Sequence, residues 1–159
     1  YRRGESACEK MSDHAVLLGY GRAGARTIQA LQEHNISVVV VDDDAAVIRK
    51  LISQKIACVQ ADGSDEHTLE MTHAKQARVV FCSMRRTRDA QIALDYLRGE
   101  KPKVLVRTFE PEEAIMVEAA GGHPIRSANA SAKTFIEWVD LNIKSEGPVN
   151  PTESDARNE

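Results

Sequence analysis

Short runs of valine, isoleucine and leucine alternate along this chain with longer segments that have helical periodicity. The apolar runs are nearly continuous, which is typical of strands that are buried on both faces. The predicted strands cover residues 14–18, 36–41, 56–59, 78–82, 103–106 and, more weakly, 124–125. The predicted helices cover residues 23–34, 45–54, 65–73, 87–98, 111–120 and 131–143. This alternation predicts an α/β fold of the Rossmann-like, doubly wound type, with a parallel sheet of about six strands in a three-layer αβα arrangement.

One domain accounts for most of the 159 residues, and we place it at residues 13–143. Residues 1–12 are polar and lack periodicity, so they are interpreted as a linker. Residues 144–159 contain prolines and acids but few apolar side chains, which predicts a disordered acidic tail. No run reaches the roughly 18 apolar residues of a membrane-spanning helix, so we expect that this chain does not cross a membrane.

Composition argues against several classes of function. The formal net charge is −3 and aromatic residues make up 4% of the chain, so we expect no nucleic-acid partner. The three cysteines are scattered and have no CxxC spacing, which favours a reducing, cytoplasmic compartment. The five histidines lack the spacing of a metal site, and we expect no metal.

The first predicted strand runs directly into the sequence GYGRAG, which opens the first predicted helix. In a dinucleotide fingerprint Gly19 allows the tight turn, Gly21 allows a pyrophosphate to approach the backbone, and Gly24 permits close packing of helix on strand. Arg22 and Ala23 complete the loop, whose free amides and positive helix end favour a phosphate. The alternative is a glycine turn that is needed for packing alone.

Three consecutive aspartates end the second predicted strand. Asp42 follows Gly24 by 18 residues, where an acid is expected to accept hydrogen bonds from an adenosine ribose. Asp43 and Asp44 come next, and this negative charge would repel a 2′-phosphate. NAD or another adenosine nucleotide is therefore favoured over NADP. Alternatively, Asp43 or Asp44 caps the next helix, and Asp42 can bind while Asp44 caps.

The third predicted strand is followed by Asp62 and Gly63. Asp62 lies at the carboxyl end of a strand beside the predicted site, where it can face the adenine. A purely structural role for Asp62 stays equally open. Ser64 or Asp65 is interpreted as the cap of the next helix.

The fourth predicted strand ends at Ser83 and Met84, across from the glycine loop, where ligands bind in sheets of this type. Three arginines follow within the next four residues. Arginine at this place can reach a phosphate, although two of the three are interpreted as solvated. Arg107 closes the fifth strand and is a further candidate for a phosphate or subunit contact.

From Val16 to about Ser127 the sequence resembles the regulator-of-conductance-of-potassium (RCK) domains, also called TrkA-N or potassium-transport nucleotide-binding (KTN) domains. Four segments at strand ends carry the resemblance: GYGRAG, VVVVDDD, VQADGSDEHTL and VLVRTFEPE. Their order and separation are more specific than GxGxxG alone, and Arg22 and Asp62 distinguish this family from ordinary dehydrogenases. The loop MRRTRDAQ departs from the acidic and asparagine-containing loop that is usual after the fourth strand.

The resemblance implies a non-enzymatic regulatory domain of potassium channels, potassium transporters or Kef-like cation/proton antiporters. Such domains bind NAD, NADH, AMP, ADP or ATP. They work as homodimers or rings on a membrane-embedded transport protein, which implies the cytoplasmic face of the inner membrane. By position, the implied ligand residues are Gly19, Gly21, Arg22, Gly24, Asp42, Asp62, Ser83 and Arg107, and the adjacent Ala23, Asp43, Gly63 and Met84 complete the predicted site.

Two other functions are compatible with the motifs. An NAD-dependent oxidoreductase needs a substrate site and a general acid or base, and a chain of this length leaves little room for a substrate domain. The YxxxK pair of short-chain dehydrogenases is also absent, because Tyr96 is not followed four residues later by lysine. A ligand-free assembly module is the second alternative, and the complete glycine set together with Asp42 argues against it.

Overall fold

A computed structural model describes residues 11–126 and 132–143. Within them, six parallel strands form one sheet in the order β3-β2-β1-β4-β5-β6. The strands are β1 (Ala15–Leu18), β2 (Val38–Asp42), β3 (Ala57–Gln60), β4 (Val79–Cys82), β5 (Lys103–Thr108) and β6 (His123–Arg126). The order reverses between β1 and β4, so the predicted doubly wound α/β fold is confirmed.

The helices between the strands begin and end close to their predicted bounds. They are α1 (Gly24–Glu33), α2 (Ala45–Ser53), α3 (Glu66–Met71), α4 (Gln91–Tyr96), α5 (Pro111–Ala119) and α6 (Ala132–Ile143). None of the described helices is long and apolar enough to cross a membrane. The predicted linker and the predicted acidic tail lie almost wholly outside the described residues.

The predicted helix over residues 87–98 is wrong in its first turn. Thr87–Ala90 form a 3-10 helix, and only then does α4 begin. The hydroxyl of Thr87 donates a hydrogen bond of 3.1 Å to the carbonyl of Arg107, which ties this turn to β5. Sequence periodicity could not predict this turn, because four residues are too few to distinguish the 3.0-residue repeat of a 3-10 helix from the 3.6-residue repeat of an α-helix.

Both faces of the sheet are buried, and each has its own apolar cluster. Val16 and Leu18 point into one cluster, while Leu17 and Phe81 belong to the other. Val139 of α6 is 1% exposed within the second cluster, so α6 covers that face of the sheet. This double burial explains why the strands are continuous apolar runs.

Asp13, just before β1, connects the amino end of β1 to the segments that precede β4 and β5. Its carboxylate accepts hydrogen bonds from Arg78 and, at 3.0 Å, from the Nζ of Lys101. These bonds, with that of Arg78 the largest cause, hold the pKa of Asp13 at about 2, below its ordinary 3.8. Because the folded pKa is depressed, the stabilisation is present above the unfolded pKa and is lost as the pH falls through the folded one.

We therefore expect Asp13→Asn to be less stable than the parent near neutral pH, with a difference that shrinks as the pH falls from about 4 toward about 2. Asparagine tolerates the left-handed backbone of Asp13, which has a φ of 55°, so the variant chiefly removes the charge. Urea unfolding of both proteins across this pH range measures the effect. An identical difference at every pH would contradict it.

Candidate functional site

A groove of about 1350 Å³ runs along the carboxyl ends of β1 to β5 and crosses the point where the strand order reverses. Sites for ligands in open α/β sheets lie at this position. The predicted site residues that line the groove are Gly19, Gly21, Arg22, Ala23, Asp42, Asp43, Asp62, Gly63, Ser83, Met84 and Arg107. Gly24 is the one predicted site residue that does not line it, although it lies beside the groove in α1.

The glycine loop is held between β2 and the loop after β4. Gly19 has a φ of +94° and donates its N–H to the carbonyl of Val41 at 2.8 Å. A Cβ at Gly19 would lie 3.3 Å from the carbonyl oxygen of Ser83. Gly21 also has positive φ, at +53°. Backbone geometry therefore favours glycine at both positions. Because neither residue has a side chain, a ligand can approach the backbone of the loop there.

Gly24 has a different role from the one that the motif predicts. A Cβ at Gly24 would lie 2.5 Å from Cδ2 of Tyr20, so the space belongs to the aromatic ring rather than to the strand. The ring folds back over α1 and is 9% exposed within the apolar cluster of that face. Tyr20 lines the groove and was not among the predicted site residues, because its motif position is one that any residue can occupy.

The N-terminus of α1 opens into the groove directly after the glycine loop. Ala23, its N-cap residue, makes no side-chain hydrogen bond, and the first turn of this helix contains no acid. Arg22 and Arg26 flank the turn, and both line the groove. The positive end of the helix dipole, the amides of the first turn and two guanidinium groups all favour a bound anion. Arg26 could have been found from sequence, since it lies in the first turn of the predicted helix.

Asp42, the last residue of β2, is hydrogen-bonded to the glycine loop. Its carboxylate accepts the backbone N–H of Tyr20 at 3.0 Å and that of Asp44 at 2.9 Å. A carboxylate has about four lone-pair positions, so these bonds leave capacity for hydroxyl donors. Asp44 caps α2 by accepting from the N–H of Ala46 at 2.8 Å. Asp44, not Asp43, is therefore the capping residue.

Asp62 is held in place by its own turn. One of its oxygens accepts the hydroxyl of Ser64 at 2.7 Å and the N–H of the same residue at 2.9 Å. These bonds, the hydroxyl first, place the pKa of Asp62 below its usual value, so the carboxylate stays ionised. Asp65, one of the two predicted candidates, caps α3. The neighbouring Gly63 packs closely on β1, since a Cβ at this position would lie 3.3 Å from the Cβ of Leu18. The acid is thus preorganised at the mouth of the groove.

The loop after β4 brings positive charge to the other side of the groove. Arg85 and Arg86 line it, whereas Arg88 does not. Two of the three arginines therefore lie at the site, where the sequence had predicted one. Arg86 forms an ion pair of 3.2 Å with Asp89, which also lines the groove. The guanidinium of Arg107 lies over the ring of Phe109, 4.9 Å from its centroid.

The sequence matches the family model of the TrkA-N domain over residues 15–127. YbaL of Escherichia coli (strain K12), a candidate cation/proton antiporter, is 21% identical over 131 residues, which make up 80% of this chain and 24% of that protein. KefB of Alkalimonas amylolytica, a candidate K⁺ efflux antiporter, is 27% identical over 113 residues, or 70% of this chain and 17% of that protein. The chain thus spans a quarter or less of these relatives.

Solved structures of similar fold include nucleotide-bound ones. The TrkA-N domain of inner membrane protein YbaL from Escherichia coli superimposes with a TM-score of 0.70 at 19% identity, covering 82% of this chain and 98% of that one. The GsuK channel bound to NAD has a TM-score of 0.65 at 19% identity, with coverage of 74% and 22%. The AMP-bound Kef C-terminal domain of Shewanella denitrificans has a TM-score of 0.61 at 18% identity, with coverage of 84% and 78%.

Proposed function

Because the chain belongs to the TrkA-N domain family, we propose that it binds an adenine nucleotide and thereby regulates a membrane protein that transports potassium or another monovalent cation. The ligand is NAD, NADH, AMP, ADP or ATP. The observation that carries this proposal is the bond from the N–H of Tyr20 to Asp42. This bond holds the carboxylate of Asp42 against the glycine loop, which supports a site where the ribose and the phosphate of one adenosine nucleotide meet complementary groups.

The family also supports the proposed partner. Relatives of this chain are candidate cation/proton and K⁺ efflux antiporters, and a neighbour in fold is a channel bound to NAD. We propose that this domain lies at the cytoplasmic face of the inner membrane, as part of such a transporter or bound to it, and that it works as a homodimer. Sedimentation equilibrium of the purified chain tests the dimer.

We propose that the groove binds its nucleotide without catalysing a reaction. Among the described residues that line it there is no histidine, cysteine or lysine. Two of its carboxylates, Asp42 and Asp62, already accept hydrogen bonds from backbone N–H groups, which favours a role in holding a ligand. An NAD-dependent oxidoreductase is the competing function. Hydride transfer from NADH to added carbonyl compounds, followed at the absorbance of NADH, would support that alternative.

A thermal-shift panel tests the nucleotide site. We expect NAD(H) or an adenine mononucleotide to raise the melting temperature and NADP to have a much smaller effect, because Asp42, Asp43 and Asp44 repel a 2′-phosphate. A ligand at about 100 times its Kd adds roughly 2.7 kcal/mol to the free energy of unfolding, which a melting curve detects readily. GTP is the matched control for the adenine base. No shift with any nucleotide would favour the ligand-free assembly module.

Regulation needs a separate test, because binding alone does not couple two sites. Cation flux through the complete transport protein in lipid vesicles should change when the nucleotide is added, and Asp42→Asn should blunt this response. Flux without nucleotide, measured for the parent and for the Asp42→Asn variant, shows that each transporter is intact. If nucleotide binds to the parent but does not change its flux, the proposal that this domain regulates transport is wrong.

A further inference from the structure

The charges that line the groove are separated along the edge of the sheet. Five arginines and five aspartates line it, so its formal charge is balanced, but the two signs lie on opposite sides. Four of the aspartates lie at the carboxyl ends of β2 and β3, on one side of β1. The arginines lie at or after the carboxyl ends of β1, β4 and β5. The acidic half comprises Asp42, Asp43, Asp44 and Asp62, and the basic half comprises Arg22, Arg26, Arg85, Arg86, Asp89 and Arg107.

The basic half has more anion-binding capacity than one pyrophosphate needs. In the proposed site, the backbone N–H groups of the glycine loop and of the N-terminus of α1 bind that pyrophosphate. Arg85 and Arg86 lie beyond them on the loop after β4, where they can meet a further anionic group, although Asp89 offsets part of the charge of Arg86. Arg85 forms no hydrogen bond or ion pair within residues 11–126 and 132–143, and Arg86 is paired only with Asp89 in those ranges.

We infer that Arg85 and Arg86 set the ligand preference of the groove, and that they favour nucleoside di- and triphosphates over AMP and over NAD. This inference rests on the proposed nucleotide site and narrows its ligand. ADP and ATP extend additional negative charge from the ribose-binding Asp42 toward the basic half. NAD instead places a nicotinamide there, and in its oxidised form this ring is a cation that arginines repel. The groove volume of about 1350 Å³ leaves room for the longer phosphate chain.

The same loop offers matched control variants. Arg88 has the same charge and lies two residues beyond Arg86, but it does not line the groove. Asp89 neutralises Arg86 in the groove, so Asp89→Asn releases positive charge without adding an arginine. All of these side chains except that of Asp89 are exposed, so we expect the variants to keep the fold.

Isothermal titration of the purified chain with AMP, ADP, ATP and NAD, in low salt and without divalent cations, tests the inference. We expect affinity to rise from AMP to ATP by about fivefold per added phosphate, the size of one exposed ion pair, with NAD weaker than ADP. In Arg85→Gln/Arg86→Gln, the affinity for ATP should fall much more than the affinity for AMP, so that the preference for ATP over AMP falls severalfold. Arg88→Gln should keep the parent preference, and Asp89→Asn should increase it.

Salt supplies an independent readout. Raising NaCl from about 50 to about 500 mM should weaken the preference for ATP in the parent and leave the double variant nearly unchanged. Equal affinity for AMP, ADP and ATP, or tighter binding of NAD than of ADP, would overturn the inference and leave the proposed nucleotide site intact. An equal loss of preference in Arg88→Gln would also overturn it. Binding of no nucleotide at all would overturn the proposed function itself.

Discussion

Asp42→Ala is expected to lower the affinity for adenine nucleotides by about 10- to 100-fold. A hydrogen bond to a charged group contributes about 1.5–3 kcal/mol, and the ribose loses at least one such bond when the carboxylate is removed. Titration calorimetry measures the loss. Asp43→Asn is the matched control, because Asp43 is an exposed neighbour that also lines the groove and whose backbone carbonyl, not its carboxylate, accepts the hydrogen bond from Gln60.

The same variant is expected to cost stability, because Asp42 also holds the backbone of its surroundings. Removing the acceptor leaves the N–H groups of Tyr20 and Asp44 without their partner, at a cost of about 1–3 kcal/mol. Urea unfolding separates this effect from the loss of affinity. Asp42→Asn retains one oxygen acceptor and should be intermediate in both measurements. Unchanged affinity in a folded Asp42→Ala protein would remove Asp42 from the ligand site.

Gly24→Ala is expected to destabilise the domain by about 1–3 kcal/mol, although alanine is the better helix former. The new Cβ would lie 2.5 Å from the ring of Tyr20, and the ring is confined by the apolar cluster beneath it and by the ammonium of Lys50, 5.5 Å from its centroid. If the ring moves, the glycine loop moves with it, because the N–H of Tyr20 is bonded to Asp42. Nucleotide affinity should therefore fall together with the melting temperature.

A double-mutant cycle identifies the ring as the cause. In a Tyr20→Ala background the space is open, and Gly24→Ala should then be neutral or stabilising by up to about 1 kcal/mol, through helix propensity alone. The sign of the substitution thus reverses with the residue at position 20. Equal destabilisation in both backgrounds would show that Gly24 is required for another reason, such as direct approach of the ligand.

Local patterns in the sequence determined the fold class and most of the groove. Strands that are buried on both faces must be continuous apolar runs, so their number and positions could be read directly, and a parallel sheet then brings their carboxyl ends to one edge. The residues that follow those ends, from Gly19 to Arg107, therefore had to lie near one another. The capping roles of Asp44 and Asp65 also depend only on neighbours in the chain.

Contacts between distant segments could be decided only by the tertiary structure. The bond from Tyr20 to Asp42 spans 22 residues, and the space that excludes a side chain at Gly24 is defined by the rotamer of one ring. Sequence pattern does not distinguish Arg85, Arg86 and Arg88, whereas in the structure Arg85 and Arg86 line the groove and Arg88 does not. Side-chain direction in a loop depends on such long-range bonds, whereas strand and helix patterns depend on burial, which repeats along the chain.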